Sequence, residues 1–433
     1  MEIIDWDEVE QDLQKLVQEA TGFTSDSRCS TSTSLFIALE GENVDGHSYV
    51  QELLKKGRCL KAVVDRAKIG EWSEELLEKC IVVPSSSQAH RIVARLFREK
   101  FQPKVIAVGG SAGKTSTKDF IHTLCTGSLD LIVTEKSQNG EQGIPKTFEG
   151  LSSKTQLAII EVGIDRPGDM IRHARLVQPD ISLLTSIGEE HLENLIDLNT
   201  VFDEETQLFQ VTEARGGKCY APQGDAFLSK YKGQCEFVSL NLENILPGAQ
   251  SPFDTFDVLH GNLCLAVNVC LEIGIDPDEL RARIKNISAP EGRGQVLEVG
   301  RSQVFVLDHY NSNPSSLKAA LESAKRRLQF RSMPLYLFLG DMLELGDESV
   351  NYHKDCLAKA LKLNPEKIVL IGNEFKVAAE TLETSIDIQV CEDVDQAVFV
   401  ANAAANWPGL FLFKGSRGMQ LEKLFSAFDF DVS

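Results

Sequence analysis

Along the chain, short unbroken apolar runs alternate with stretches whose apolar residues recur at helical spacing. A run that is apolar at nearly every position, rather than at every second one, marks a strand covered on both faces, as in a parallel sheet flanked by helices. In residues 1–100 the runs are Ser34–Leu39, Lys61–Val64 and Cys80–Val83. An amphipathic helix over Ser87–Lys100 follows, with Ile92, Val93, Leu96 and Phe97 on one face, and Pro103 marks the boundary. In residues 101–298 the runs Val105–Val108, Leu157–Ile160 and Ile181–Leu184 predict strands, Gly261–Ile273 predicts a helix, and Asp276-Pro277 starts another. Residues 299–433 repeat the alternation, with strands at Val304–Leu307, Leu335–Leu339, Lys367–Ile371 and Leu410–Phe413 and a helix over Ser315–Leu328. The pattern predicts an α/β protein of three domains: a small α/β domain, a central domain on a mostly parallel sheet, and a C-terminal Rossmann-like domain.

The junction after Val105–Val108 carries the strongest chemical signal. Gly109-Gly110-Ser111-Ala112-Gly113-Lys114-Thr115-Ser116-Thr117 lies between that strand and a helix predicted over Lys118–Leu124. Strand, glycine-rich loop, Lys-Thr and helix are the setting of a phosphate-binding loop. The glycines let backbone N–H groups turn toward phosphate oxygens, and the helix N-terminus adds partial positive charge. Lys114 is placed to reach the β- and γ-phosphates of a nucleoside triphosphate, and the Thr115 hydroxyl to meet Mg²⁺.

Composition narrows the partners. With 44 Lys and Arg against 64 Asp and Glu the net charge is −20, which disfavours nucleic acid and anionic membranes. No apolar run is long enough to cross a bilayer, and the acidic start Met1–Asp7 lacks a signal-peptide core, so a cytoplasmic protein is expected. The ten cysteines form no C-x-x-C pair, which argues against a zinc site and a disulfide framework.

Open α/β sheets bind ligands beyond the carboxyl ends of their strands. Glu161 stands at one such end, where P-loop enzymes often place a Mg²⁺ ligand. The run Thr185-Ser186-Ile187-Gly188-Glu189-Glu190-His191-Leu192-Glu193 follows the next strand, with His191 a candidate metal ligand or acid–base group. In the third segment Asp308-His309-Tyr310-Asn311-Ser312-Asn313-Pro314, Gly340-Asp341-Met342-Leu343-Glu344-Leu345-Gly346 and Lys414-Gly415-Ser416-Arg417-Gly418 occupy equivalent positions. Together they bring Asp, Asn, Lys and Arg to one sheet edge that could face the phosphate loop across a cleft.

In this order the motifs resemble the Mur ligases, and within them the branch that adds D-alanyl-D-alanine to a UDP-linked muramoyl tripeptide in peptidoglycan precursor synthesis. The likeness covers nearly the whole chain. Asp26-Ser27-Arg28, Leu35–Gly41 and Asp45-Gly46-His47 are similar to the family's UDP-substrate domain. The phosphate loop, Asn139-Gly140-Glu141-Gln142-Gly143-Ile144-Pro145, Glu161-Val162-Gly163 with Pro167-Gly168-Asp169, and Ile187-Gly188 with His191-Leu192-Glu193 are similar to its ATPase domain. The three third-segment strings favour this branch over its sisters. The resemblance implies an ATP-dependent, ADP-forming ligase, acting as a monomer, in which a carboxylate is activated as an acyl phosphate and then taken by an amine. It implies ATP contacts from Gly110, Ser111, Ala112, Gly113, Lys114, Thr115, Ser116, Asn262, Arg293, Asp308 and Asn311. Mg²⁺ would lie on Thr115, Glu161 and His191. The substrates would meet Ser27, Arg28, Asp45, Gly46, His47, Asn139, Lys414, Ser416 and Arg417, and catalysis would rest on Lys114, His191, Glu205 and Arg293.

Four departures from the family's pattern stand out. Ala112 replaces an Asn in the loop, and Asn139-Gly140 replaces an Asn-Asn pair. Gly216–Phe256 is short and irregular, so fewer strands are expected there. Glu205 falls where the family has a carbamylated lysine. It either supplies that carboxylate directly or belongs, with Asp203 and Glu204, to a solvated helix face. These departures also leave open a divergent paralogue joining another carboxylate and amine, or a nucleotide-binding protein with a degraded site.

Overall fold

The computed structural model describes residues 6–300 and 302–428; the acidic start Met1–Asp5 lies outside them. It contains three sheets. The first, in the order β1-β2-β3-β4, joins β1 (Gly22–Thr24), β2 (Ser34–Ile37), β3 (Lys61–Asp65) and β4 (Cys80–Val83), all parallel. The second consists of β5 (Lys104–Gly109), β6 (Leu131–Val133), β7 (Leu157–Glu161), β8 (Ile181–Leu184), β9 (Lys218–Pro222) and β10 (Glu236–Val238). Its order is β10-β9-β8-β5-β7-β6, again wholly parallel. The third consists of β11 (Gln295–Val299), β12 (Gln303–Leu307), β13 (Leu335–Gly340), β14 (Lys367–Ile371), β15 (Asp387–Cys391) and β16 (Gly409–Lys414), in the order β11-β12-β16-β13-β14-β15. Only β11 runs antiparallel, against β12. Division at residues 100 and 298 thus leaves each sheet in one segment except for β11. That strand, Gln295-Val296-Leu297-Glu298-Val299, is broken by Glu298, so a search for unbroken apolar runs passes over it.

β5, β7 and β8 are buried along almost their whole length, which is why they read as continuous Val/Ile/Leu runs. The central strand β5 lies between β7 and β8, so its carboxyl end meets theirs at one edge. β13 and β16 do the same in the third sheet, and Phe305, Phe338, Phe411 and Phe413 stack beneath them.

The first sheet is tied to the second through a buried polar joint. Glu149 accepts hydrogen bonds from Thr24 Oγ1 (3.1 Å), Ser25 Oγ (2.7 Å) and Lys146 Nζ (2.7 Å), and its Oε1 lies 3.0 Å from His90 Nε2. Burial pushes this carboxyl up, but the His90 hydrogen bond and charge, with Lys146, outweigh it and hold the pKa at about 2. A carboxylate below its unfolded value stabilises the fold above that value, near 4.5, and loses the contribution as pH falls toward 2. Glu149→Gln is expected to lower the melting temperature at pH 7, by a contribution of about 2–3 kcal/mol. The gap from the unsubstituted protein should close steadily between pH 4.5 and 2, as followed by thermal scans. A gap independent of pH would assign the effect to packing.

Candidate active site

The loop after β5 bends where only glycine is comfortable. Gly110 has φ +108°, and a Cβ there would lie 2.5 Å from Thr185 Oγ1. Gly113, at φ +89°, opens the helix Lys114–Cys125, and a Cβ there would lie 2.7 Å from Asn262 Oδ1. The loop is pinned to the segment after β8. Ser111 N–H donates to Ser186 O (2.8 Å), Ala112 N–H to Ser186 Oγ (3.2 Å), and Gly188 N–H to Ser111 Oγ (2.9 Å). With Ser111 and Ala112 committed in this way and the Gly110 N–H on Glu205 Oε2 (2.9 Å), the N–H groups that await an acceptor are those of the helix's first turn.

Lys114 Nζ donates to Gly110 O (2.6 Å) and to Glu190 Oε2 (3.2 Å). Burial works against its charge, but Glu190, Glu205 and Glu161 outweigh it and raise the pKa. Thr115 Oγ1 donates to Glu161 Oε1 (3.1 Å), as does Asn139 Nδ2 (2.8 Å), while the other oxygen, Glu161 Oε2, is buried with no hydrogen bond and only the Lys118 ammonium 3.9 Å away. Such an all-oxygen pair of hydroxyl and half-satisfied carboxylate fits Mg²⁺, which is held by one or two protein oxygens together with water and phosphate.

The third sheet supplies the opposite wall. Tyr310 OH lies 2.9 Å from Ser137 Oγ, itself 3.4 Å from Thr115 Oγ1. Two cations lie over the Tyr310 ring, Arg293 at 4.0 Å and Arg417 at 5.6 Å from its centroid. Lys414 is buried and donates to Asp308 Oδ2 (2.7 Å) and Asn311 O (3.0 Å). Ser416 Oγ donates to Ser312 O (3.2 Å) and accepts from Leu343 N–H (2.9 Å). Glu189, on the segment after β8, receives Lys318 Nζ (3.1 Å) and the Ser315 hydroxyl, so the two walls are drawn together.

The result is a cleft of about 600 Å³. Ser111, Ala112, Gly113, Lys114, Thr115, Ser116, Asn139, Glu161, His191 and Asn262 line it from the central sheet's side. Arg293, Asp308, Asn311, Lys414, Ser416 and Arg417 line it from the other. Ser137, Tyr310, Glu189, Glu190 and Glu344 also line it and were not singled out from sequence, although all but Ser137 lie inside the motifs quoted above. Ser137 stands two residues before Asn139, in the polar stretch Glu135-Lys136-Ser137-Gln138, which matches none of the motifs.

The first-segment residues do not join this cleft. Arg28 is held on Asp26 (Nη2–Oδ2 2.7 Å), and the Ser27 carbonyl accepts from Arg58 (3.1 Å). His47 is buried with both ring nitrogens committed, Nε2 accepting from Asp65 N–H (2.9 Å) and Nδ1 on Asp45 (2.6 Å). A Cβ on Gly46 would strike the Leu39 backbone at 2.9 Å, so Asp45-Gly46-His47 forms a rigid corner.

Glu205 corrects one of its two readings. It lies on the helix Leu198–Ala214, but Glu204 and Glu205 are buried rather than solvated, and only Asp203 of the three is exposed. Glu204 accepts the Met170 N–H (2.8 Å) at the start of the helix Asp169–Val177. Glu205 Oε2 accepts the Gly110 N–H (2.9 Å) beneath the phosphate loop, and Glu205 is not among the residues lining the cleft. Oε1 of Glu205 and Oε1 of Glu190 are both buried without a donor partner, and the two carboxyls are close enough to share a proton. Burial, then the Glu190 charge, raises the Glu205 pKa well above its usual value.

A phosphate loop on one sheet facing a cation-bearing wall on a second, with a third sheet beyond, is the plan of a three-domain ATP-dependent ligase. Two sequence profiles match this chain, that of the Mur ligase middle domain over residues 108–240 and that of the Mur ligase glutamate ligase domain over 292–417. Together they span more than half of it, and the chain belongs to the Mur ligase family. Among its relatives is the UDP-N-acetylmuramoyl-tripeptide–D-alanyl-D-alanine ligase of Rickettsia prowazekii, 27% identical over 421 residues, which cover 90% of this chain and 91% of that protein. The Bacillus subtilis enzyme of the same name is 26% identical, over 93% and 92%. The fold matches MurF from Acinetobacter baumannii (TM-score 0.77, 23% identity, 96% of this chain and 97% of that one). It also matches MurF from Thermotoga maritima in complex with ADP (TM-score 0.75, 20% identity, 95% and 97%).

Proposed function

We propose that this protein joins D-alanyl-D-alanine to UDP-N-acetylmuramoyl-tripeptide, converting ATP to ADP and phosphate. The observation that carries the reading is the single cleft in which Lys114 and the first turn of its helix face Arg293 and the Asp308–Lys414 pair. Full-length similarity to ligases of that name supports the choice of substrates.

The tripeptide's carboxylate oxygen attacks the γ-phosphorus of ATP, and ADP leaves. The dipeptide's amine then attacks the acyl carbon, phosphate leaves, and the amine proton goes to solvent or phosphate. Two anions must meet in the first step, so fixed positive charge has to stand where they approach. Lys114 and Arg293 provide it, with the first-turn N–H groups below the phosphates. Thr115 and Glu161 would hold Mg²⁺, which when bound neutralises phosphate charge, and His191, which lines the cleft, would serve a second ion. Asn262, packed on Gly113, and Asp308 with Asn311 would receive the nucleoside. Arg417, exposed and paired with Glu422 (3.1 Å), would turn to a substrate carboxylate. The rigid corner at Asp45-Gly46-His47, with Ser27 and Arg28, would receive the UDP end. Closure of the third domain excludes water that would otherwise hydrolyse the acyl phosphate.

The test is phosphate release from ATP and Mg²⁺ with UDP-N-acetylmuramoyl-tripeptide, with and without D-alanyl-D-alanine, followed by mass spectrometry. Dipeptide-dependent release and a product heavier by the dipeptide less one water are expected. Release that ignores the dipeptide but responds to another amine would overturn the substrate assignment, and ATP binding without release under any amine would overturn the enzymatic one.

A further inference from the structure

The motif Gly340-Asp341-Met342-Leu343-Glu344-Leu345-Gly346 is not used by the chemistry above, yet the structure invests heavily in its shape. Asp341 accepts the Glu374 and Phe375 N–H groups (3.0 and 2.9 Å) at the start of the helix Asn373–Glu380. Buried His353 accepts the Met342 N–H (2.9 Å), and Ser416 the Leu343 N–H (2.9 Å). Those anchors force the next residue, Glu344, into the left-handed region at φ +65°, an uncommon conformation for a residue with a side chain. There Glu344 Oε2 lies 2.7 Å from His191 Nδ1, on the other wall of the cleft, while Asp165 Oδ1, on the central domain, stands farther from the same nitrogen at 3.7 Å. His191 is itself left-handed, at φ +48°. The two backbones are also joined, since Glu193 N–H donates to Glu344 O (3.2 Å), and Gly346 packs where a Cβ would lie 3.3 Å from Glu193 Cα.

We propose that Glu344 is a positioning residue, delivered by the third domain to orient the His191 ring, so that His191 is set for its task only when that domain has closed. The inference rests on the ligase reading of the cleft. A carboxylate only accepts, so the contact with Glu344 favours the proton of the neutral ring on Nδ1 and leaves Nε2 bare. Groups that fix the far nitrogen of a ligating histidine in this way change affinity or activity by about 10–100-fold when removed. Stability is not the purpose. The Glu344 side chain is 59% exposed, and an exposed pair of this kind adds little to folding.

Glu344→Ala and Glu344→Gln in the full-length protein test this. Alanine removes the near acceptor and leaves only Asp165 Oδ1, at 3.7 Å too far for a hydrogen bond in this arrangement, whereas glutamine keeps an oxygen that accepts from Nδ1–H. The expected result is a kcat about 10–100-fold lower for Glu344→Ala, with KM for ATP within about twofold, an unchanged melting temperature, and substantial recovery in Glu344→Gln. A second readout is independent of turnover. In metal-free protein carrying ¹⁵N-labelled histidine, with His191 assigned by its loss in His191→Gln, its signals should report protonated Nδ1 and bare Nε2. In Glu344→Ala they should move toward a mixture of tautomers. Unchanged His191 signals and unchanged kcat in Glu344→Ala would overturn the proposal, as would equal loss in both variants. Were the ligase reading wrong instead, the unsubstituted protein would show no dipeptide-dependent release, while the histidine signals would still respond to Glu344→Ala.

Discussion

Lys114→Met lowers ligation about a thousandfold, because it removes a preorganised cation from the point where transferred negative charge gathers. It also has a cost that a surface lysine would not. Lys114 is the cation paired with Glu190 and lies within the field of Glu205, both buried. Taking one partner from a buried pair leaves an uncompensated charge and costs about 3–5 kcal/mol. The melting temperature should therefore fall with the activity. The double variant Lys114→Met/Glu190→Gln separates the two effects. It should regain much of the lost stability and none of the turnover, measured by thermal scan and phosphate release. Recovery of both would mean that Lys114 serves chiefly to neutralise the carboxylates beneath it.

Glu205 yields the second large effect, and its direction depends on what the carboxyl does. With Oε2 on the Gly110 N–H and Oε1 toward Glu190, the group is used as an acceptor on one side and a proton-bearing acid on the other. Glutamine reproduces both, with its oxygen on Gly110 and its NH₂ toward Glu190, whereas alanine leaves a buried N–H unpaired at a cost of about 1–3 kcal/mol. Glu205→Ala should raise KM for ATP about tenfold, in proportion to a loss near 1.4 kcal/mol in the loop's shape. Glu205→Gln should stay within about twofold, a few tenths of a kcal/mol. Neither should change the Mg²⁺ concentration that half-saturates the rate. Equal damage from glutamine, with a higher Mg²⁺ requirement, would show instead that the negative charge of Glu205 reaches the cation.

Much of the fold was legible because the interior strands of these sheets are apolar on both faces. β2, β3, β5, β7, β8, β12, β13, β14 and β16 all announce themselves as unbroken runs. Of the edge strands only β4 does so. β1, β6, β10, β11 and β15 are short or partly exposed, and most of their positions are not fully buried. β9 is interior and was missed because Lys218-Cys219-Tyr220-Ala221-Pro222 begins with a charge and ends with proline. At the cleft, residues whose chemistry depends on local spacing, such as Lys114, Thr115 and Glu161, could be read from sequence. Glu190, Tyr310 and Glu344 could not, because each acquires a partner from an element distant in the chain. Glu205 shows the same limit. Its neighbours in sequence suggest a charged surface, and only the closeness of the helix Leu198–Ala214 to the underside of the loop makes it an internal prop.

The segment after β8 holds the phosphate loop through Ser186 and Gly188, and it holds the third domain through Glu189, His191 and Glu193. One short piece of chain is therefore anchored at both ends of the reaction. Any swing of the third domain away from the central one would pull on the same strap that steadies the phosphate seat. Departure of the nucleotide and departure of the ligated product would then be mechanically linked through that one segment.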